Sequence, residues 1–158
     1  MSGDADLYDR DFVAWTEAQA AELRAAGAER MNLPIDWENV AEEIESLGRN
    51  NRRELGNRLT NVVEHLLKLR WSAAGDPTVG WRGTIIRERQ EIEDLLEESP
   101  SLRRYIPDLL DRAHRRSCDR VESDVVPRGE MTVAQAEQMR NDKFGAEQVL
   151  GNWFPVRE

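Results

Sequence analysis

The residues of this chain best suited to acid–base chemistry are three closely spaced glutamates, Glu42, Glu43 and Glu45, with His65 and Arg89. Read as helix, Glu43 and His65 flank one apolar stripe on the same side and Glu45 flanks the other side. Arg89 falls near the middle of a second, otherwise apolar stripe. An arginine there keeps its proton, so it must be paired or reach water, and Glu43 or Glu45 is the natural partner. Two readings follow. One is a polar pocket with Glu as base, His as acid or orienter and Arg as anion clamp. The other is an interhelical ion-pair network that fixes register, the commoner use of ionic groups beside a bundle stripe. The candidate polar cluster is therefore Glu43, Glu45, His65 and Arg89, with no catalytic role assigned.

Other chemistry finds less support. Di-metal bundles use Glu together with Glu-x-x-His on facing helices. Here Glu64 and His65 are adjacent and point in different directions, and position 62 is Val. His114, Cys118 and Glu122 form an i, i+4, i+8 row, which cannot wrap a tetrahedral ion without a bend or further ligands. No metal site and no cofactor are expected. Cys118 has His114 and Arg115 one turn away, which could lower its pKa, but it has no third orienting residue and lies inside a helix. It reads as a partly covered small side chain. Arg103, Arg104, Arg112, Arg115, Arg116 and Arg120 could form a basic stripe for an anionic partner. The plainer expectation is a solvated face paired with Asp108, Asp111 and Asp119. Trp15, Trp37, Trp71, Trp81 and Trp153 are read mainly as core, with Trp71 and Trp81 placed to pack across one loop.

The elements that must position these residues are helical. Phe12, Trp15, Gln19, Leu23 and Ala26 recur on one face of a helix over 9–26, with Gly27 placed to end it. Asp36 is suited to N-cap the next helix. Its stripe of Val40, Ala41, Ile44 and Leu47 keeps phase, across Gly48, with Leu55, Leu59, Val62, Val63, Leu66 and Leu69. That predicts one long helix over 36–71, with a kink allowed at Gly48, rather than two helices. A loop follows over 72–80. Trp81, Ile85, Ile92, Leu95 and Leu96 mark a helix over 80–98. Ser99-Pro100 reads as N-cap and N1 of the next, which fades over 123–127. Thr132 with Gln135 resembles a capping box opening a short helix over 133–141. A further turn is expected over 146–150, with Trp153-Phe154-Pro155 folding back as an apolar plug. No stretch shows the alternation of a strand.

The chain has 158 residues, 39% hydrophobic and 34% charged, which suits one domain with a core of its own. The net charge of -9 repels phosphate backbones and anionic lipid, so generic nucleic-acid or membrane binding is disfavoured. The one cysteine cannot form an internal disulfide, which fits a reducing compartment. No apolar run reaches the ~20 residues of a membrane helix, and the acidic start lacks the features of a secretory signal. There is no phosphate loop, dinucleotide fingerprint or nucleophile elbow.

Several segments carry a family resemblance. They are Tyr8-Asp9-Arg10-Asp11-Phe12 with Trp15 and Gln19, the run from Asn39 to Gly48 (NVAEEIESLG), and His65-Leu66-Leu67-Lys68 after Leu59. Trp81 with Thr84-Ile85, Arg89, Ser99-Pro100-Ser101-Leu102, and Glu147-Gln148-Val149-Leu150 with Trp153-Phe154-Pro155 complete the set. Over nearly its whole length the sequence resembles the domain of unknown function 29 family of small bacterial proteins. The resemblance implies an all-α fold and no assigned activity.

The expected architecture is thus an all-α, antiparallel helical bundle with one long central helix and short C-terminal helices. It forms a single domain over 1–158, with a main bundle over 9–123 and an extension over 124–158. The expected role is a non-enzymatic, cytoplasmic module that binds a protein partner or self-associates. The alternatives are a small enzyme or ligand-binding protein using the Glu/His/Arg cluster and, more weakly, a regulator that contacts nucleic acid.

Overall fold

The computed structural model describes residues 3–29, 32–74 and 78–156. Among them lie seven α-helices, one 3-10 helix and no strand: α1 (Gly3–Arg10), α2 (Phe12–Ala28), α3 (Trp37–Trp71), α4 (Thr78–Glu98), the 3-10 helix Pro100–Tyr105, α5 (Ile106–Val125), α6 (Val133–Arg140) and α7 (Ala146–Leu150). The expected all-α class, long helix and short C-terminal helices are all present. The loop expected over 72–80 lies partly outside the described residues, and α4 already runs from Thr78. Contacts divide the chain into two units, Met1–Glu54 with Asp94–Arg104, and Leu55–Glu93 with Tyr105–Glu158.

In the first unit the helix expected over 9–26 is broken at Asp11. The Asp11 backbone is extended (φ -157°, ψ 90°) and its carboxylate accepts the Ala14 N–H at 3.0 Å, so it is the N-cap of α2. The same carboxylate accepts the Ser101 N–H at 2.7 Å and the Ser101 hydroxyl at 2.8 Å. The Ser99 hydroxyl in turn accepts the Val13 N–H at 3.2 Å. Ser99 thus serves an orphan donor at the start of α2 and is not the simple opening cap expected; a 3-10 turn follows it. The buried face of α2 is Val13, Thr16 and Ala20, one position on from the stripe expected, while Phe12 and Trp15 are half-buried with Tyr8 in an aromatic cluster.

α3 is capped by Asp36, which accepts the Asn39 N–H at 3.2 Å, and runs without interruption through Gly48. Gly48 is a point of close approach and not a break. A Cβ built on it would lie 2.5 Å from Thr16 Oγ1 of α2. Gly27 plays the matching part on α2, where a Cβ would come within 2.7 Å of Trp37 Cβ, and α2 itself continues to Ala28. The α2–α3 pair is antiparallel: Gly27 meets Trp37 and Thr16 meets Gly48.

The second unit holds the larger core. Leu55, Leu59, Val62, Val63, Leu66, Leu67 and Leu69 of α3 are buried, as are Ile85 and Ile92 of α4 and Ala113, Val121 and Val125 of α5. Each fully buried Leu or Ile contributes about 1.5–3 kcal/mol. α3 and α5 run parallel here: Gly56 faces Leu109, the Ser117 hydroxyl donates to the Thr60 carbonyl at 2.9 Å, and Lys68 pairs with Asp124 at 3.2 Å. α6 opens on the expected capping box, in which Thr132 and Gln135 exchange bonds of 2.9 and 3.1 Å. Trp153 packs on Phe144 at 5.4 Å between ring centres, and Pro155 is buried. All five tryptophans are half-buried, and the Trp71 indole N–H donates to Asp142 at 2.9 Å.

Candidate functional site

The polar residues singled out by the sequence fall into both units, Glu43 and Glu45 in the first, His65 and Arg89 in the second. In the first unit Glu45 accepts from Arg24 at 2.5 Å, and Arg24 also reaches Glu38 at 3.1 Å and Glu42 at 3.5 Å. Arg49 bonds Glu42 and lies 3.7 Å from Glu45. This ladder ties α2 to one flank of α3. The hydrogen bond from Arg24 holds the Glu45 pKa below its ordinary value, and the charges of Arg24 and Arg49 add to that effect. A carboxylate stabilised as an anion is a poor proton carrier at neutral pH. Glu43 stands outside the ladder. It is exposed and makes no ion pair among the described residues.

In the second unit Arg89 is partly buried, and its donors go to carbonyls, not to the carboxylate expected. Nε donates to Val149 O at 2.8 Å, and Nη2 donates to Gln148 O at 2.8 Å and Trp153 O at 2.7 Å. Gln148 and Val149 lie in the last turn of α7, whose carbonyls have no partner within the helix. Arg89 therefore caps the C-terminus of α7, where the macrodipole favours a cation, and holds the returning segment beside it. Burial lowers the Arg89 pKa from its ordinary value, but arginine stays charged throughout the biological range. The ring of Phe154 lies 5.0 Å from the guanidinium carbons of both Arg82 and Arg89, so the expected plug is held by cation–π contact as well. Nδ1 of His65 sits 2.7 Å from the Asn61 carbonyl, one turn back on its own helix.

The row His114, Cys118, Glu122 is likewise engaged. His114 Nε2 donates to the Arg140 carbonyl at 2.9 Å, and Cys118 Sγ lies 3.5 Å from the same nitrogen. Glu122 pairs with Arg140 at 2.5 Å. The thiol is 1% exposed, more buried than expected, and burial pushes its pKa up to about 11, which suppresses the nucleophilic thiolate. No group of three or more metal-capable side chains converges among the described residues. An open groove of about 630 Å³ lies between Arg70, Trp71, Gln138, Asn141 and Asp142. Its charged members are paired with each other, Arg70 with Asp142 at 3.2 Å.

The arginines of α5 do not take the partners expected. Arg120 reaches Glu64 at 3.3 Å, and Arg104, before α5, bonds Glu17 at 3.0 Å. Asp119 is held by Arg140 at 2.9 Å, and Asp111 faces Lys143 at 3.6 Å. No helix of the described residues is long and apolar enough to cross a membrane.

One face of α3 is left partly open among the described residues. Opposite the ion ladder, Val40 and Leu47 are 39% and 45% exposed, although the sequence places them in the buried stripe. Only Ala41 of that stripe is fully buried, and Ile44 is half-buried. Ile35, 41% exposed, sits at N′ of α3, the position that staples onto N4, which is Val40. By helical phase Val40, Ile44 and Leu47 fall on one side of α3, and Ile35 precedes them in the staple position, so the four mark one apolar ridge. The signal was legible as periodicity, but its exposure was not.

A family model described as "Domain of unknown function DUF29" matches residues 7–154. Comparison with curated proteins finds no match. Among solved structures, an alpha-helical protein of unknown function from Rhodospirillum rubrum is similar, at 22% identity and a TM-score of 0.62, over 94% of this chain and 98% of that one. At that identity the likeness concerns the fold alone.

Proposed function

The chain belongs to the DUF29 family of unassigned activity, and from there we propose that it is a non-enzymatic protein-interaction module of the cytoplasm that docks its partner on the first unit. The observation that carries this reading is the ridge of Ile35, Val40, Ile44 and Leu47 at the start of α3, whose large apolar side chains stay only partly covered, Ile35, Val40 and Leu47 being about two-fifths exposed and Ile44 half-buried. Contiguous exposed apolar surface of this kind marks interaction sites. Support also comes from the groups able to do chemistry. Arg89, Glu45, His65 and Cys118 each have an internal structural partner or are buried. A Glu/His/Arg pocket is the weaker alternative, because three Arg89 donor bonds end on carbonyls. A lone buried cysteine fits the reducing cytoplasm.

A photo-crosslinking amino acid placed at position 47 in living cells tests the reading, with position 86 as control, since Ile86 is also exposed (49%) but stands alone on α4. A discrete adduct at 47, absent at 86, is expected. No adduct at 47, or the same adducts at both positions, overturns it.

A further inference from the structure

The partner's chemistry can be narrowed, on the reading just proposed, by charge. The first unit carries sixteen acidic and eight basic residues, whereas the second carries fifteen and fourteen, so -8 of the net -9 belongs to the unit that bears the ridge. By helical phase, Asp36 and Glu43 lie along the solvent side of the ridge, and Glu43 is exposed and carries no ion pair among the described residues. The opposite flank is closed by Arg24 and Arg49, whose charges are taken up by Glu38, Glu42 and Glu45.

We propose that the ridge receives a cationic amphipathic helix of another protein. Val40, Ile44 and Leu47 stand at i, i+4 and i+7, the spacing that interdigitates with the apolar stripe of a facing helix. From Val40 to Leu47 the ridge runs about 10 Å at ~1.5 Å per residue, and Ile35 extends it by one more turn. A partner helix of about three turns matches that length. Lysine or arginine bordering its stripe meets the acidic margin, which speeds encounter and selects against other partners. A second copy of this chain would bring -8 against -8, and anionic lipid or nucleic acid would be repelled in the same way. This explains why bulky apolar side chains are tolerated on the outside of an acidic unit: like-charge repulsion suppresses self-association while the ridge stays open to a cation.

The test uses the full chain and a fluorescent 18-residue helical peptide with leucine at i, i+3, i+4 and i+7 positions and lysine elsewhere. Two controls accompany it, one of the same composition with the stripe scrambled and one with glutamate in place of lysine. Anisotropy titrations should give saturable binding of the lysine peptide that weakens at least tenfold in V40D/L47D and is unchanged in I86D. Added acid would strengthen a purely ionic association, so a loss in V40D/L47D isolates the apolar ridge. Raising salt from 50 to 300 mM should weaken binding severalfold. Equal binding by the scrambled or the acidic peptide, or an unaltered affinity in V40D/L47D, overturns the proposal. So does a dimer in sedimentation equilibrium that L47D dissolves, which would make a second copy the occupant. If the peptide fails while the adduct at position 47 forms in cells, the interaction reading stands and the partner's charge class is wrong. If both fail, the reading itself is wrong.

Discussion

Replacing Gly48 by alanine separates two explanations of a glycine inside a long helix. If Gly48 only loosened α3, alanine would stabilise the protein by about 0.8–1.0 kcal/mol through helix propensity. The structure gives the opposite sign. The new Cβ would lie 2.5 Å from Thr16 Oγ1, and Thr16 is fully buried, its hydroxyl fixed by a 2.7 Å bond to the Val13 carbonyl. Overpacking of this kind costs about 1–3 kcal/mol. Set against the propensity gain, Gly48→Ala should destabilise by about 1 kcal/mol, or 2–4 °C in Tm for a chain of this size. The decisive arm is the same substitution in a Thr16→Ala background. With the hydroxyl gone, the nearest atoms are Val13 Cγ1 at 3.6 Å and the residue-16 Cβ at 3.7 Å, both ordinary contacts. Gly48→Ala should then stabilise by up to about 1 kcal/mol, a coupling of about 2 kcal/mol between the two sites. Urea unfolding of the four proteins, followed by tryptophan fluorescence and circular dichroism, reads it directly. A Gly48→Ala effect of the same sign and size in both backgrounds would refute close approach as the reason for the glycine.

Three further outcomes are expected. Arg89→Met leaves the carbonyls of Gln148, Val149 and Trp153 without their charged donor, and should destabilise by about 2 kcal/mol while hastening amide exchange over 146–154; unchanged exchange there would contradict the cap. Glu45 has its pKa lowered in the folded state, so its stabilising effect is complete above the ordinary carboxylate pKa and is lost as pH falls through the lower folded value. The Tm difference between wild type and Glu45→Gln should therefore be constant from about pH 7 to 5 and shrink below about pH 4.3, and a gap that widens on acidification would be incompatible with the Arg24 bond. Cys118, buried with its pKa raised to about 11, should resist iodoacetamide in the native protein at pH 8 and react at once in urea; prompt native labelling would show that the thiol is reachable.

What the sequence revealed about this chain follows from what periodicity encodes. A local i, i+4 pattern marks a face, so the stripe from Leu55 to Leu69, the capping box at Thr132 and the short helix over 146–150 were all legible. Bonds between segments far apart in the chain leave no such trace. Asp11 to Ser101 spans ninety positions, and nothing in either segment's spacing announces that a serine after α4 completes the cap of α2. The same blindness explains Arg89. Its place in an apolar stripe correctly signalled a partly buried charge in need of a partner, but backbone carbonyls have no residue type and cannot be predicted as one.

The ridge on α3 exposes a deeper ambiguity. An apolar stripe buried by its own chain and one kept for another chain have the same period, and Val40, Ile44 and Leu47 were read as core for that reason. The distinction lies in residue size. Where α3 meets α2, the contacting positions are Ala41 and Gly48, small enough for close approach, and the bulky side chains are turned to the flank. In the second half of the helix, leucines occupy the buried face itself. A stripe whose small residues do the packing while its large ones stay outside is built for two neighbours at once. Here one neighbour is α2, and the proposed partner helix would be the other.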